Sequence, residues 1–185
     1  MEVRTSLSHP LQIDPLPVGS RGGVLGITFC PGKKAPSING FVWDRDLDVD
    51  LDAVRAWGAQ AVLTLIEPHE FRAFEVAGLG AGVAARGLEW HHLPITDMHA
   101  PDARFESGWA TTGGRLRERL LGGGSAVVHC RGGLGRAGTV AARILVDTGT
   151  PPPEAVRRVR LARKGTIEND EQLQYVLALR PAGQG

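Results

Sequence analysis

The 185-residue chain has 42% hydrophobic residues and 21 basic against 20 acidic side chains, a formal net charge of +1. That is enough for one domain with a real core, and it excludes an overall field that would draw the chain onto nucleic acid or an anionic membrane, so any anion binding is local. Two cysteines a hundred positions apart are too sparse for the disulfide framework of a small secreted protein, while prolines and charges near the N-terminus and the lack of long apolar runs exclude a signal peptide or membrane span and point to a soluble, cytoplasmic protein.

Residues 1–21, rich in Pro and polar side chains, read as an extended N-terminal arm, residues 22–180 as one domain and 181–185 as a tail. "GVLGITF" (Gly23 to Phe29) is a short apolar strand, and "PGKKAPSING" a loop. "DRDLDVDLDAVRAWGAQ" alternates aspartates as a calcium loop does. Counting from Asp44, however, puts Val49 where the turn glycine belongs and Arg55 where the bidentate glutamate belongs. A helix start capped by Asp50 or Asp52 is the better reading. Gln60 to Ile66 follows as a buried strand, Pro68 to Val76 as a short helix and Leu88 to Ile95 as a strand. Pro101 to Leu121 is a helix weakened by Gly113 and Gly114, "SAVVHC" a strand, and Ala137 to Val146, Pro151 to Lys164 and Asp170 to Leu179 are helices. The alternation predicts an α/β domain, a mainly parallel central sheet flanked by helices, with functional loops at the carboxyl ends of the strands.

"HCRGGLGRAGT", His129 to Thr139, supports two chemistries. As G-x-G-x-x-G it follows a strand and precedes a helix, as a dinucleotide turn does. Yet Cys130, Arg131 and Gly132 intervene before the first glycine of that motif, and the ribose-binding acid would have to be Glu154, at a helix start. As C-x5-R the stretch uses every residue. A loop of Arg131, Gly132, Gly133, Leu134 and Gly135 entering a helix turns its N–H groups toward an anion, and the positive potential there favours the thiolate of Cys130, the nucleophilic form. Arg136 can grip two phosphate oxygens in a fork that lysine cannot reproduce.

The stretch resembles the signature H-C-x-x-G-x-x-R of the dual-specificity cysteine-dependent protein phosphatases, standing here as His129, Cys130, Gly133 and Arg136. With "GVLGITFCPGKK" and "HHLPITDMHAPD" it is similar, over roughly Gly22 to Leu179, to the kinase-associated phosphatase (cyclin-dependent kinase inhibitor 3) family. The resemblance implies the dual-specificity phosphatase fold, no cofactor, and a phosphoprotein substrate, the family's target being a cell-cycle kinase. It also implies that His129 orients the loop and that Gln172, in "TIENDEQLQYV", helps place the hydrolytic water. One departure is Ala137, where the family has a hydroxyl that steadies the leaving thiolate; Thr139 lies two positions on.

A leaving alcohol needs a proton donor on a separate loop. Asp97, 33 residues before Cys130, matches the family's acid, and Asp102, after Pro101, is the alternative and a natural helix cap. His91 and His92 point to opposite faces of a strand, so they do not chelate together, and no metal is expected. "RRVRLARK" reads as a solvated helix face, with a basic patch for a phosphorylated or acidic partner as the alternative. Cys30 is a candidate for oxidative pairing with Cys130. The reading is a metal-independent phosphatase acting through a cysteinyl-phosphate on phosphotyrosine, phosphoserine or phosphothreonine in proteins. The alternatives are a phosphate-binding module with stalled turnover, or hydrolysis of a small phosphorylated metabolite or inositol phosphate, the last disfavoured by Leu134 where a lysine is expected.

Overall fold

The computed structural model describes residues 2–181, so Met1 and positions 182–185 of the expected tail lie outside the described residues. In chain order the elements begin with β1 (Val3–Arg4), β2 (Asp14–Val18), β3 (Gly23–Phe29), β4 (Lys34–Pro36), β5 (Val42–Asp44), α1 (Leu47–Ala56), β6 (Ala61–Thr64) and α2 (Pro68–Ala73). They continue with α3 (Leu79–Ala85), β7 (Glu89–His92), α4 (Ala103–Leu121), β8 (Ser125–Cys130), α5 (Gly135–Asp147), α6 (Pro152–Ala162) and α7 (Asp170–Leu177). The central sheet runs β2-β3-β8-β6-β7; only β2 is antiparallel to its neighbour. The mainly parallel α/β architecture expected from the alternation is therefore present.

Because side chains alternate across a strand, neighbouring residues of β8 and β6 feed two different cores. Ala126, Val128, Ala61 and Leu63 pack with Phe105 and Leu116 of α4, with α5 and with Val159 of α6, whereas Val127 and Val62 pack with Leu51 and Val54 of α1 and Leu79 and Val83 of α3. All but two residues of α5 are buried, so the helix that follows the cysteine is clasped on every side. A helix set so deep gives its N-terminus a fixed aim. Among the described residues no helix is long and apolar enough to cross a membrane.

Three local expectations are corrected. The arm, expected outside the core, supplies β2, with Leu16 and Val18 buried in the core. Pro15 and Pro17 are tolerated because β2 is an edge strand and both prolines are exposed on it. The first helix is capped by Asp46, whose carboxylate accepts from the Val49 N–H, rather than by Asp50 or Asp52. Asp50 is buried in a two-point ion pair with Arg45. The stretch expected as a loop carries β4, which with β5 and β1 makes a small second sheet.

Candidate active site

β8 ends at Cys130, four loop residues follow, and α5 begins at Gly135. The loop's carbonyls are drawn outward. Arg131 O accepts from the Cys30 N–H (3.3 Å) and from Lys33 Nζ (3.0 Å), Gly132 O from Arg163 Nη2 (3.2 Å), and Leu134 O from the N–H groups of Gly138 (2.9 Å) and Ile167 (3.4 Å). The N–H groups of Gly132, Gly133 and Leu134 donate to no described protein group, and those of Gly135 and Arg136 belong to the first helical turn, which has no internal acceptors. A concave row of free donors at a helix N-terminus is an anion nest. Gly133 makes the bend possible. Its φ is +70°, and a Cβ there would lie 2.4 Å from the Thr28 carbonyl oxygen.

Arg136 is 1% exposed and held on both terminal nitrogens. Nη1 donates to Glu70 Oε2 (2.6 Å) and Ile95 O (3.0 Å); Nη2 donates to Glu70 Oε1 (2.9 Å) and lies 3.0 Å from Asp97 Oδ1. Nε is buried without a partner. Among the described residues Nε is thus the one guanidinium nitrogen left without an acceptor, and Nη2 is shared between Glu70 and Asp97. Burial works against the charge of Glu70, but the bonds from Arg136 and from the Glu67 N–H (2.7 Å) outweigh it and hold the carboxyl below its ordinary value. Although burial opposes the charge of Arg136, Glu70, Cys130 and Asp97 together keep it firmly protonated.

Asp97 stands at the cavity mouth with its side chain 43% exposed, 3.8 Å from Arg131 Nη1 as well. Met98, which follows it, has φ +65°, an uncommon conformation for a non-glycine residue. Asp102 caps α4 by accepting from the Phe105 N–H and does not line the cavity. His129 is fully buried; Nε2 pairs with Thr64 Oγ1 across the sheet (2.8 Å) and Nδ1 lies 3.4 Å from Cys130 O. Burial pushes its ring down to about 4, with the nearby Arg136 charge acting the same way, so it is neutral at physiological pH. The Thr139 hydroxyl donates to Gly135 O (2.7 Å).

Gln172 is fully buried, and its amide lies against the start of α5, where a Cβ on Gly135 would meet Nε2 at 2.8 Å and Oε1 at 3.0 Å. Its Oε1 accepts from the Glu168 N–H (2.9 Å) and its Nε2 donates to His99 O (3.4 Å). Glu168, from the same segment, does line the cavity, its carboxylate lying against Gly135. Arg163, from the basic stretch expected to be a solvated face, is half-buried, tied to Asp14 (2.6 Å) and to the loop carbonyl of Gly132. His91 pairs with Glu89 and His92 with Ile66 O, on different partners as their opposed directions require. Cys30 and Cys130 are both free and buried at the ends of adjacent strands, and burial pushes the Cys30 thiol well up.

The cavity over Cys130 has a volume of about 340 Å³ and is also walled by Trp43, Met98 and Leu134. It therefore combines a thiol, a row of free amides, an arginine shared with two carboxylates, and the carboxylates of Asp97 and Glu168 at its rim. Residues 46–182 match the family described as PTP-SAK: Swiss Army Knife protein, DSP-PTPase phosphatase domain. The chain belongs to that family. It is a cysteine-dependent phosphatase, a phosphoric monoester hydrolase. The phosphatase is 28% identical to cyclin-dependent kinase inhibitor 3 of Rattus norvegicus over 92% of this chain and 79% of that one. It is 39% identical to protein tyrosine phosphatase type IVA 3 of Bos taurus over 71% and 70% of the two chains. Its fold superimposes on the crystal structure of kinase associated phosphatase carrying a serine in place of its catalytic-site cysteine, with a TM-score of 0.77, 26% identity and coverage of 90% and 92%.

Sequence reasoning missed Glu70, Lys33 and Glu168. Glu70 reads as an ordinary acidic residue in the first turn of a helix, Lys33 as part of a loop, and Glu168 as a neighbour of the glutamine singled out instead. Only the fold brings them to Cys130.

Proposed function

We propose that the phosphatase hydrolyses phosphotyrosine, phosphoserine or phosphothreonine in proteins through a cysteinyl-phosphate, without a metal, in a reducing compartment such as the cytoplasm. The observation that carries this reading is the convergence of Cys130, the free loop amides and the unpartnered Nε of Arg136 on one cavity. The phosphoryl oxygens sit on the amides of 131–136 and on the Nε–Nη2 edge of Arg136. Cys130 Sγ attacks phosphorus; the bond to the leaving oxygen breaks as Asp97 delivers a proton to it. Asp97, now ionised, takes a proton from water as the water displaces the thiolate and releases inorganic phosphate. The loop and Arg136 gain strength as charge redistributes over the equatorial oxygens.

The second step has reduced support from the protein. Ala137 presents no hydroxyl, and that of Thr139 is engaged by Gly135 O, so neither is poised to steady the departing thiolate. A slow second step is therefore the specific alternative within the same chemistry. Hydrolysis of p-nitrophenyl phosphate with EDTA present tests both readings. Turnover lost in Cys130→Ser and strongly reduced in Asp97→Asn is the expected result, with a pre-steady-state burst marking a slow second step. Normal turnover by Cys130→Ser would overturn the mechanism.

A further inference from the structure

Lys33 lines the catalytic cavity at 8% exposure, and among the described residues its ammonium forms no salt bridge; its one hydrogen bond is to Arg131 O at 3.0 Å. A buried cation without a counter-ion is costly, and folds retain one where an anion compensates it.

The local sequence holds Lys33 there firmly. Pro31 and Gly32 make a turn in which the Lys33 N–H lies 3.4 Å from Cys30 O and Gly32 has φ +72°, the pattern of a Pro-Gly type II turn. The Gly32 N–H donates to Asp50 Oδ2 (2.8 Å), the carboxylate that also holds Arg45, so the turn is bolted to α1. The ammonium then lies over the stacked rings of Phe29 (5.0 Å) and Trp43 (5.5 Å). Arg45 packs on the same two rings, but Asp50 neutralises it. Lys33 has no such partner. Burial draws its ammonium down to about 8; Cys30 and Cys130 act against that fall, while Arg131 and Arg45 add to it.

We propose that Lys33 is a further anion-holding residue of the phosphate cradle. It pins the Arg131 carbonyl away from the cavity, so that the following N–H groups face inward, and it supplies positive charge to the thiolate of Cys130 and to a phosphomonoester dianion seated above it. This rests on the phosphatase reading of Cys130. The cavity then has buried cations from two sides, Arg136 from α5 and Lys33 from the turn after β3, in addition to the half-exposed Arg131 that faces Asp97, which matches a dianion better than a buried guanidinium already shared with Glu70.

The test uses the full chain with Lys33→Met, Lys33→Arg and, as a neighbouring control, Lys34→Met, each checked for cooperative melting. Binding of inorganic phosphate is read by calorimetry, and alkylation of Cys130 by neutral iodoacetamide at mildly acidic pH by mass spectrometry. Lys33→Met is expected to weaken phosphate binding about tenfold, the size of one charge-assisted hydrogen bond, and to slow alkylation. It should also raise KM for p-nitrophenyl phosphate more than it lowers kcat, while Lys33→Arg recovers part of each loss and Lys34→Met changes none. A folded Lys33→Met with unchanged phosphate affinity and alkylation rate overturns the proposal. If Lys33→Met fails to melt cooperatively, Lys33→Gln is read by the same criteria. Neither binding nor alkylation requires turnover, so an inert wild type would count against the phosphatase reading while leaving Lys33 still measurable.

Discussion

Arg136 and Glu70, 66 positions apart in the chain, form a buried two-point ion pair that fixes which edge of the guanidinium faces the substrate. Without Glu70 the side chain would be free to turn its terminal fork toward the phosphate or away from it. Glu70→Gln keeps the shape but removes the charge that balances Arg136 and the second strong acceptor. A loss of roughly 1.5–3 kcal/mol for a hydrogen bond to a charged group corresponds to a fall in kcat/KM of about ten- to a hundredfold. Steady-state hydrolysis of p-nitrophenyl phosphate reads it, and wild-type kcat/KM in the folded variant would remove Glu70 from the site. Arg136→Lys is expected to lose more, because lysine supplies neither the Nε donor nor the fork that Glu70 grips.

Asp97 and Asp102 separate cleanly by position. Asp97 lies at the cavity beside the open edge of Arg136; Asp102 spends its carboxylate on the first turn of α4. Asp97→Asn is expected to lower kcat by roughly 10²–10⁴, the range of a positioned proton donor, with little change in melting temperature. Asp102→Ala should do the reverse, costing about 1 kcal/mol of stability as a lost cap while leaving kcat near wild type. Comparing kcat and denaturation midpoints in the two variants tests the assignment, and a kcat collapse confined to Asp102→Ala would invert it.

What the sequence made legible follows from how local each feature is. Cys130 and Arg136 are visible because the loop that joins them is short and its chemistry demands both at a fixed spacing, with a strand before and a helix after. The order of most elements is legible for the same reason, since strand and helix periods are local. Glu70 is not legible, because its partner lies across the fold and a glutamate in a helix's first turn is unremarkable. Prolines 15 and 17 masked β2, because an edge strand accepts them only once its neighbour exists. The late segment was read through Gln172, whose amide lies against Gly135 of the loop and also braces the Glu168 backbone, while the Glu168 carboxylate, which the sequence did not single out, lies beside it and lines the cavity.

Gly133 links backbone conformation to catalysis. At φ +70°, with a virtual Cβ 2.4 Å from the Thr28 carbonyl oxygen, alanine must strain the loop, push it off β3, or both. Gly133→Ala is expected to cost about 1–3 kcal/mol of stability and to weaken phosphate binding, since the amides on either side lose their common aim. Chemical denaturation with phosphate titration reads both. Wild-type phosphate affinity in this variant would mean that the nest tolerates a bend other than the one observed.

His129 makes stability depend on pH in a predictable direction. The unfolded ring titrates near its ordinary value of 6.5, whereas burial holds the folded ring at about 4. Between these values the unfolded chain binds the proton and the folded chain does not, so its contribution is fully present above about 6.5 and is lost as pH falls toward 4. The full difference corresponds to roughly 3 kcal/mol. Glu70 acts in the same sense lower down, its depressed carboxyl stabilising the fold above the ordinary glutamate value and releasing that stability as acid protonates it. The two are distinguished by substitution. Unfolding free energy measured across this range in wild type and His129→Gln should converge as pH falls, because the glutamine amide can hydrogen-bond Thr64 without taking up a proton. Parallel curves would mean that the ring accepts its proton while still folded, and that the Thr64 bond, rather than neutrality, is what keeps His129 behind the cysteine.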